Sequence, residues 1–132
     1  MTYQEALDFL NGNFVSFQTA GRTAYKGGLE AITGMCRAMG DPQRDYLSIH
    51  IAGTNGKGST ARMAEAICRA YGMRTGLYTS PHLEKINERI AIDGQQLSDD
   101  DFIDIWDQTK DLVALVDAKM EEQGKPKMSF FE

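Results

Sequence analysis

The chain has 132 residues, 42% of them hydrophobic and 25% charged, a length and composition that fit one ordinary soluble domain with a modest core. Its 14 Lys and Arg against 19 Asp and Glu leave a net charge of −5 with no basic block, which argues against a nucleic-acid partner. No apolar run approaches the roughly 20 residues a membrane helix needs, and MTYQEALDFL lacks the features of a secretory leader, so no membrane role and a cytoplasmic location are expected.

Apolar positions Tyr3, Ala6, Leu7 and Leu10 predict a short amphipathic helix that fades at Asn11-Gly12-Asn13. Phe14 to Gly28 has no regular pattern. Leu29, Ile32, Cys36 and Met39 recur at helical spacing until Gly40-Asp41-Pro42, where glycine can cap the helix and proline forbids its continuation. Tyr46 to Ala52 alternates apolar with small or polar residues and reads as a strand running into the glycine-rich stretch that follows. Met63, Ile67 and Tyr71 then share a helical face that Gly72 closes, which puts Ser59 or Thr60 at a helix N-terminus.

Arg74 to Thr79 suits a second strand, stopped by Ser80-Pro81. Arg89 to Ile92 followed by Asp93-Gly94 suits a strand entering a tight hairpin. The clearest helix is capped by Ser98, with Asp101 three residues on, and carries Phe102, Ile105, Trp106, Thr109, Leu112, Val113, Val116 and Met120 along one face to Gly124-Lys125-Pro126. Strand, loop, helix and strand in that order predict the start of a right-handed βαβ unit in a parallel sheet, with phosphate chemistry at the carboxyl edge of the strands. Cys36 and Cys68 lie far apart within helical patterns, which predicts reduced, partly buried thiols rather than a disulfide or a metal site.

The stretch HIAGTNGKGST (His50 to Thr60) carries the chemistry. A strict phosphate loop has Gly, four residues, then Gly-Lys-Ser/Thr, but here Ile51 occupies the first glycine position and Gly58 follows Lys57. Gly53, Gly56 and Gly58 still allow close backbone approach with inward N–H groups, and Lys57 supplies a cation for β/γ oxygens. Gly58 shifts the hydroxyl by one residue, making Ser59 the group to bond a phosphate or cap the helix. The alternative is a merely structural turn with a surface lysine.

GTNGKGST (Gly53 to Thr60) together with LYTSPHLEKINERI (Leu77 to Ile90) resembles the folylpolyglutamate synthase/dihydrofolate synthase family of the Mur ligase superfamily. Peptidoglycan-precursor ligases share such a loop but usually not Ser-Pro-His-Leu followed by Asn-Glu-Arg-Ile, so the pairing of the two motifs is the more specific signal. The resemblance runs from Gly27-Gly28-Leu29-Glu30 to Ser129-Phe130-Phe131-Glu132. It implies an α/β, phosphate-loop-containing, parallel-sheet domain of Mur-ligase type, of which residues 1–132 are the truncated N-terminal portion. The remainder of the ATP-binding domain and a C-terminal glutamate-binding domain are then expected outside these residues.

By the same resemblance, Thr54, Asn55, Gly56, Lys57, Gly58 and Ser59 hold ATP phosphates, with Lys57 the catalytic cation. Ser80 coordinates Mg²⁺ through its hydroxyl. Lys26, Gly27, Gly28 and Leu29, with Ser129, Phe130, Phe131 and Glu132, border the pterin end of a folate or dihydropteroate substrate. Without the resemblance those phenylalanines read as core residues. The implied reaction is ATP-dependent addition of L-glutamate through an acyl phosphate, by a monomeric full-length enzyme, with these residues inactive alone. Dihydrofolate synthase, folylpolyglutamate synthase or both remain open, as do another Mur-type ligase, a stand-alone nucleotide-binding module and a non-catalytic interaction domain.

An incomplete parallel sheet would expose an apolar edge, so the association state of this chain is left open. His50 is expected to be a satisfied structural histidine, and His82 to bond a neighbouring carbonyl. Glu84, Glu88 and Arg89 are expected to arrange their loop through ion pairs, without a catalytic role.

Overall fold

A computed structural model of the chain describes residues 1–14 and 28–129. In chain order the elements are α1 (Tyr3–Asn13), α2 (Glu30–Ala38), α3 (Lys57–Ala70), β1 (Gly76–Tyr78), β2 (Ile90–Ile92), β3 (Gln95–Gln96) and α4 (Asp99–Glu122), with 3₁₀ turns at Pro42–Arg44 and Ile86–Arg89. They fall into two compact units, Met1–Leu47 with Ile103–Glu132, and Ser48–Phe102.

In the first unit, α1 begins with a capping box. The Thr2 N–H donates to Glu5 Oε2 at 2.6 Å and the Glu5 N–H donates to Thr2 Oγ1 at 3.3 Å, so two otherwise orphaned donors are satisfied. The helix ends at Asn13, the last residue of the Asn-Gly-Asn stretch expected to end it, with Asn13 Nδ2 donating to the Phe9 carbonyl at 2.8 Å. On α2 the stripe expected from Leu29, Ile32, Cys36 and Met39 is rotated. Ala31 and Met35 are the buried residues, whereas Leu29 is 73% exposed and Met39 47%. The small side chain of Ala31 and the absence of one at Gly34 let this face approach α4, where a Cβ on Gly34 would lie 3.4 Å from Val116 Cγ1.

The core of this unit is Ala31, Met35, Val116, Met120 and Met128, flanked by Phe14, Leu112 and Val113. Asp117 Oδ1 accepts the Met128 N–H at 2.8 Å and ties the segment after α4 back onto that helix. Helix α2 ends as expected, with Gly40 at φ 83° and the Asp41 N–H returning to the Cys36 carbonyl at 2.7 Å.

The second unit holds a three-stranded sheet of order β1-β2-β3, antiparallel throughout, pairing Leu77 with Ala91 and Ala91 with Gln96. The strand expected over Tyr46 to Ala52 does not form, and no parallel pair joins it to β1. Leu47 is fully solvent-exposed and Ile49 is 74% exposed. The alternation specifies a face, but a strand also needs a neighbour for its N–H and C=O groups, and among the described residues none pairs with this segment.

Helix α3 departs from expectation in the same way. Met63, Ile67 and Tyr71 are 60%, 59% and 81% exposed, and the buried residue is Glu65, which accepts from Arg69 Nε at 3.0 Å. The Arg69 guanidinium lies against the β2–β3 turn, within 3.1 Å of where a Cβ on Gly94 would stand. That turn has both central residues left-handed, Asp93 at φ 51° and Gly94 at φ 80°, the conformation that matches the twist of paired strands. Asp93 Oδ1 accepts the Thr75 N–H at 2.7 Å and joins the turn to the residue before β1. Ser98 caps α4, its Oγ accepting the Asp101 N–H at 3.0 Å. Both cysteines are half-buried free thiols, as expected.

Candidate functional site

The glycine-rich stretch forms a turn that delivers the chain directly into α3. Gly56 is the N-cap at φ 78° and Gly53 sits at φ 150°, left-handed-side conformations that side-chain-bearing residues seldom adopt. Helix α3 therefore starts at Lys57, and Thr60 makes the first helical bond, to the Gly56 carbonyl at 2.9 Å. No side chain caps the helix, so the N–H groups of Lys57, Gly58 and Ser59 open from its first turn. Ser59 consequently stands inside the helix and is not its cap. All residues from Gly53 to Thr60 are exposed.

Lys57 folds back over this turn. Its Nζ donates to the carbonyls of Gly53 at 2.6 Å and Thr54 at 3.3 Å, which places a cation on the turn that leads into α3. Dipole, amides and ammonium all favour an anion at this place.

Ser80 follows β1 and is exposed, with a cis peptide bond to Pro81. Among the described residues, no three His, Cys, Asp or Glu side chains cluster as a metal site. A lone exposed hydroxyl fits Mg²⁺ only as one ligand among phosphate oxygens and water, a donor set that ion accepts.

The residues after Ser80 are held by their neighbours in the 3₁₀ turn. One Glu88 carboxylate accepts the N–H groups of Leu83 at 2.9 Å, Glu84 at 2.9 Å and Lys85 at 2.8 Å. These backbone bonds hold the Glu88 carboxyl at about 2, well below the ordinary glutamate value. Arg89, only 4% exposed, donates from Nε to His82 Nδ1 at 2.8 Å. Glu88 thus orders its loop through backbone N–H groups rather than ion pairs, and His82 meets a guanidinium rather than a carbonyl. The ion pair at this place is Lys85 with Asp99 at 3.2 Å, and Asn87 Nδ2 also donates to Asp99, at 2.9 Å. The visible signal for these bonds was an acidic residue three to five positions beyond three successive amides.

Of the residues expected to border a pterin, Gly28 and Leu29 are exposed and lie before α2. Ser129 is half-buried and lines an apolar cavity of about 270 Å³ within the first unit, together with Phe14, Cys36, Trp106 and Val113. Lys26, Gly27, Phe130, Phe131 and Glu132 lie outside the described residues. His50 is exposed.

A left-handed glycine cap and a lysine at the first helical position stand in a chain of mixed helices and strands, an α/β segment. The chain matches no protein-family model. It is 46% identical over 107 residues to the dihydrofolate synthase/folylpolyglutamate synthase of Mycobacterium tuberculosis, a match covering 79% of this chain and 22% of that protein. It is also similar to the structure of Mycobacterium tuberculosis folylpolyglutamate synthase complexed with ADP, at 38% identity and a TM-score of 0.81 over 98% of this chain and 26% of the other. An FPGS–AMPPCP–folate complex matches 99% of this chain and 30% of the other, at 28% identity and a TM-score of 0.72.

The chain belongs to the folylpolyglutamate synthase/dihydrofolate synthase family. It spans about a quarter of the length of the relatives it matches.

Proposed function

We propose that these residues supply the phosphate-binding part of an ATP-dependent acid–amino-acid ligase that adds L-glutamate to the carboxylate of a dihydropteroate or tetrahydrofolate. The observation that carries this reading is the left-handed Gly56 cap, which starts α3 at Lys57 with its first-turn N–H groups uncapped and the Lys57 ammonium folded onto the same turn. In this reading Thr54 to Ser59 hold the ATP phosphates. The whole protein's activity comes from residues beyond these 132, with the rest of the ATP-binding domain and a glutamate-binding domain outside them.

A substrate carboxylate oxygen attacks the γ-phosphorus, the bond to the β–γ bridging oxygen breaks, and ADP leaves. The glutamate amine then attacks the acyl carbon, the carbon–oxygen bond to phosphate breaks, and the amine loses a proton as the amide forms. Phosphoryl transfer needs positioning and charge neutralisation more than a protein nucleophile, and the open amides with Lys57 supply both. Mg²⁺, when bound through Ser80 and phosphate oxygens, would add neutralising charge there. Lys26 to Leu29 and Ser129 to Glu132 border the pterin in this reading, and the similarity to an FPGS–AMPPCP–folate complex supports a folate as the ligand class. No described helix is long and apolar enough to cross a membrane, and a cytoplasmic, monomeric enzyme is part of the proposal.

The test is glutamate-dependent phosphate release by the full-length polypeptide, with dihydropteroate and tetrahydrofolate assayed in parallel. Release with either substrate, lost in Lys57→Ala, supports the ligase. ATP hydrolysis that needs neither folate nor glutamate would favour a stand-alone nucleotide-binding module.

A further inference from the structure

Glu88 and Arg89 are adjacent, and together they grip four consecutive residues, His82 to Lys85. The Glu88 carboxylate takes three backbone N–H groups while the Arg89 guanidinium takes the histidine ring. The second bond has a chemical consequence. Arginine is always a donor, so His82 Nδ1 must present its lone pair, and the proton of the neutral imidazole stands on Nε2.

The half-buried ring then has no lone pair left for a metal ion. Nδ1 is occupied at 2.8 Å and Nε2 carries hydrogen. What remains is a single N–H donor, two residues along the chain from the Ser80 hydroxyl. A donor in that position suits an anionic oxygen. Arg89 is buried, a buried charge needs its hydrogen bonds satisfied, and the His82 ring nitrogen is one acceptor that meets it.

We infer that Arg89 is a positioning residue which sets His82 as an Nε2–H donor to an anionic oxygen of the reacting ligands, and that His82 is not a metal ligand. This rests on the phosphate-loop reading above for the identity of the anion. The shared chemistry is a terminal phosphate oxygen of the nucleotide or the carboxylate oxygen of its acceptor. The seven-residue separation of His82 and Arg89 is thereby given a role, as is the placement of Glu88 beside Arg89.

The experiment is a two-bond ¹H–¹⁵N correlation spectrum of the ¹⁵N-labelled full chain at a pH where its histidines are neutral. Comparison with His82→Gln assigns the signals of this ring by difference. The expected result is a pyridine-type Nδ1 and a pyrrole-type Nε2 at His82 in the wild type, changing to a mixture of tautomers in Arg89→Met, which removes the donor. A proton on Nδ1 in the wild type, or a tautomer unmoved in folded Arg89→Met, overturns the assignment. Should Arg89→Met fail to fold, the wild-type tautomer still decides it.

Adding Mg²⁺ with a β,γ-methylene ATP analogue, with ADP, or with dihydropteroate then distinguishes the anions. A shift of the His82 Nε2–H with the analogue but not ADP assigns the terminal phosphate, and a shift with dihydropteroate alone assigns the carboxylate. If the Gly56 to Ser59 amides respond to nucleotide while His82 responds to none of these ligands, the donor role fails and the phosphate loop stands. If those amides are silent, the phosphate-loop reading fails, and the tautomer spectra still decide the role of Arg89.

Discussion

Lys57 Nζ donates to the Gly53 carbonyl at 2.6 Å, so the loop's only lysine is held across the turn by the backbone it follows. A phosphate oxygen is a charged acceptor and the carbonyl a neutral one, so a nucleotide bound at this turn would draw the ammonium to itself. Hydrogen bonds to charged groups contribute about 1.5–3 kcal/mol, and about 1.4 kcal/mol is tenfold in affinity. Lys57→Ala is therefore expected to weaken Mg·ATP binding by roughly ten- to a hundredfold in titration calorimetry. An unchanged dissociation constant would remove Lys57 from the site. Lys57→Arg is expected to restore only part of the loss, since a planar fork cannot take the place of a compact ammonium.

Two glycines with nearly the same φ separate backbone strain from crowding. Gly56 at φ 78° has nothing within 4 Å of an added Cβ, so Gly56→Ala carries the left-handed penalty alone, about 1–2 kcal/mol. Gly94 at φ 80° carries the same penalty, but its Cβ would also meet the Arg69 guanidinium at 3.1 Å. Moving that group disturbs the bond from Arg69 to buried Glu65. Urea unfolding is expected to show Gly94→Ala as the more destabilised of the pair. Equal loss in both would mean that Arg69 yields freely.

These positions also show what could be read from the chain itself. Asp93-Gly94, the Ser98 cap and the glycine loop are local features, and each was legible because the backbone conformation is decided by the residues in the turn. The Tyr46 to Ala52 segment was not, since a strand depends on a neighbour that no local pattern names. Met63, Ile67 and Tyr71 define an apolar face whose direction toward or away from packed residues depends on what else is present. At the site, the loop and Ser80 were visible as motifs, but the Arg89 to His82 bond was hidden because a lone histidine offers many partners and spacing alone selects none.

Glu88 makes a pH prediction whose sign follows from its carboxyl standing at about 2, against an ordinary value of 4.5. The unfolded chain takes up the proton first as pH falls, so the contribution of this group is complete above about 4.5 and is lost as pH drops toward 2. Amide exchange at Leu83 to Lys85 should therefore stay protected on acidification until that window, then rise within it. In Glu88→Gln the amide cannot accept three N–H groups and turns donors against donors, so protection should be low at every pH and the acid step absent. Retained protection in that variant would show that the loop is held by other bonds.

Gly34 is the place where a gain in stability is expected. It lies in the middle of α2, half-buried, and an added Cβ would sit 3.4 Å from Val116 Cγ1, an ordinary van der Waals contact. Alanine in a helix interior is favoured over glycine by about 1 kcal/mol, partly because it narrows the unfolded ensemble. Gly34→Ala is thus expected to raise the unfolding free energy by about 1 kcal/mol, read as a higher urea midpoint with an unchanged slope. Gly34→Val, with further methyls directed at Val116 and a β-branch in the helix, should reverse the gain by overpacking. Destabilisation by alanine itself would mean that α2 and α4 are already in closest contact, with no space for even one methyl group.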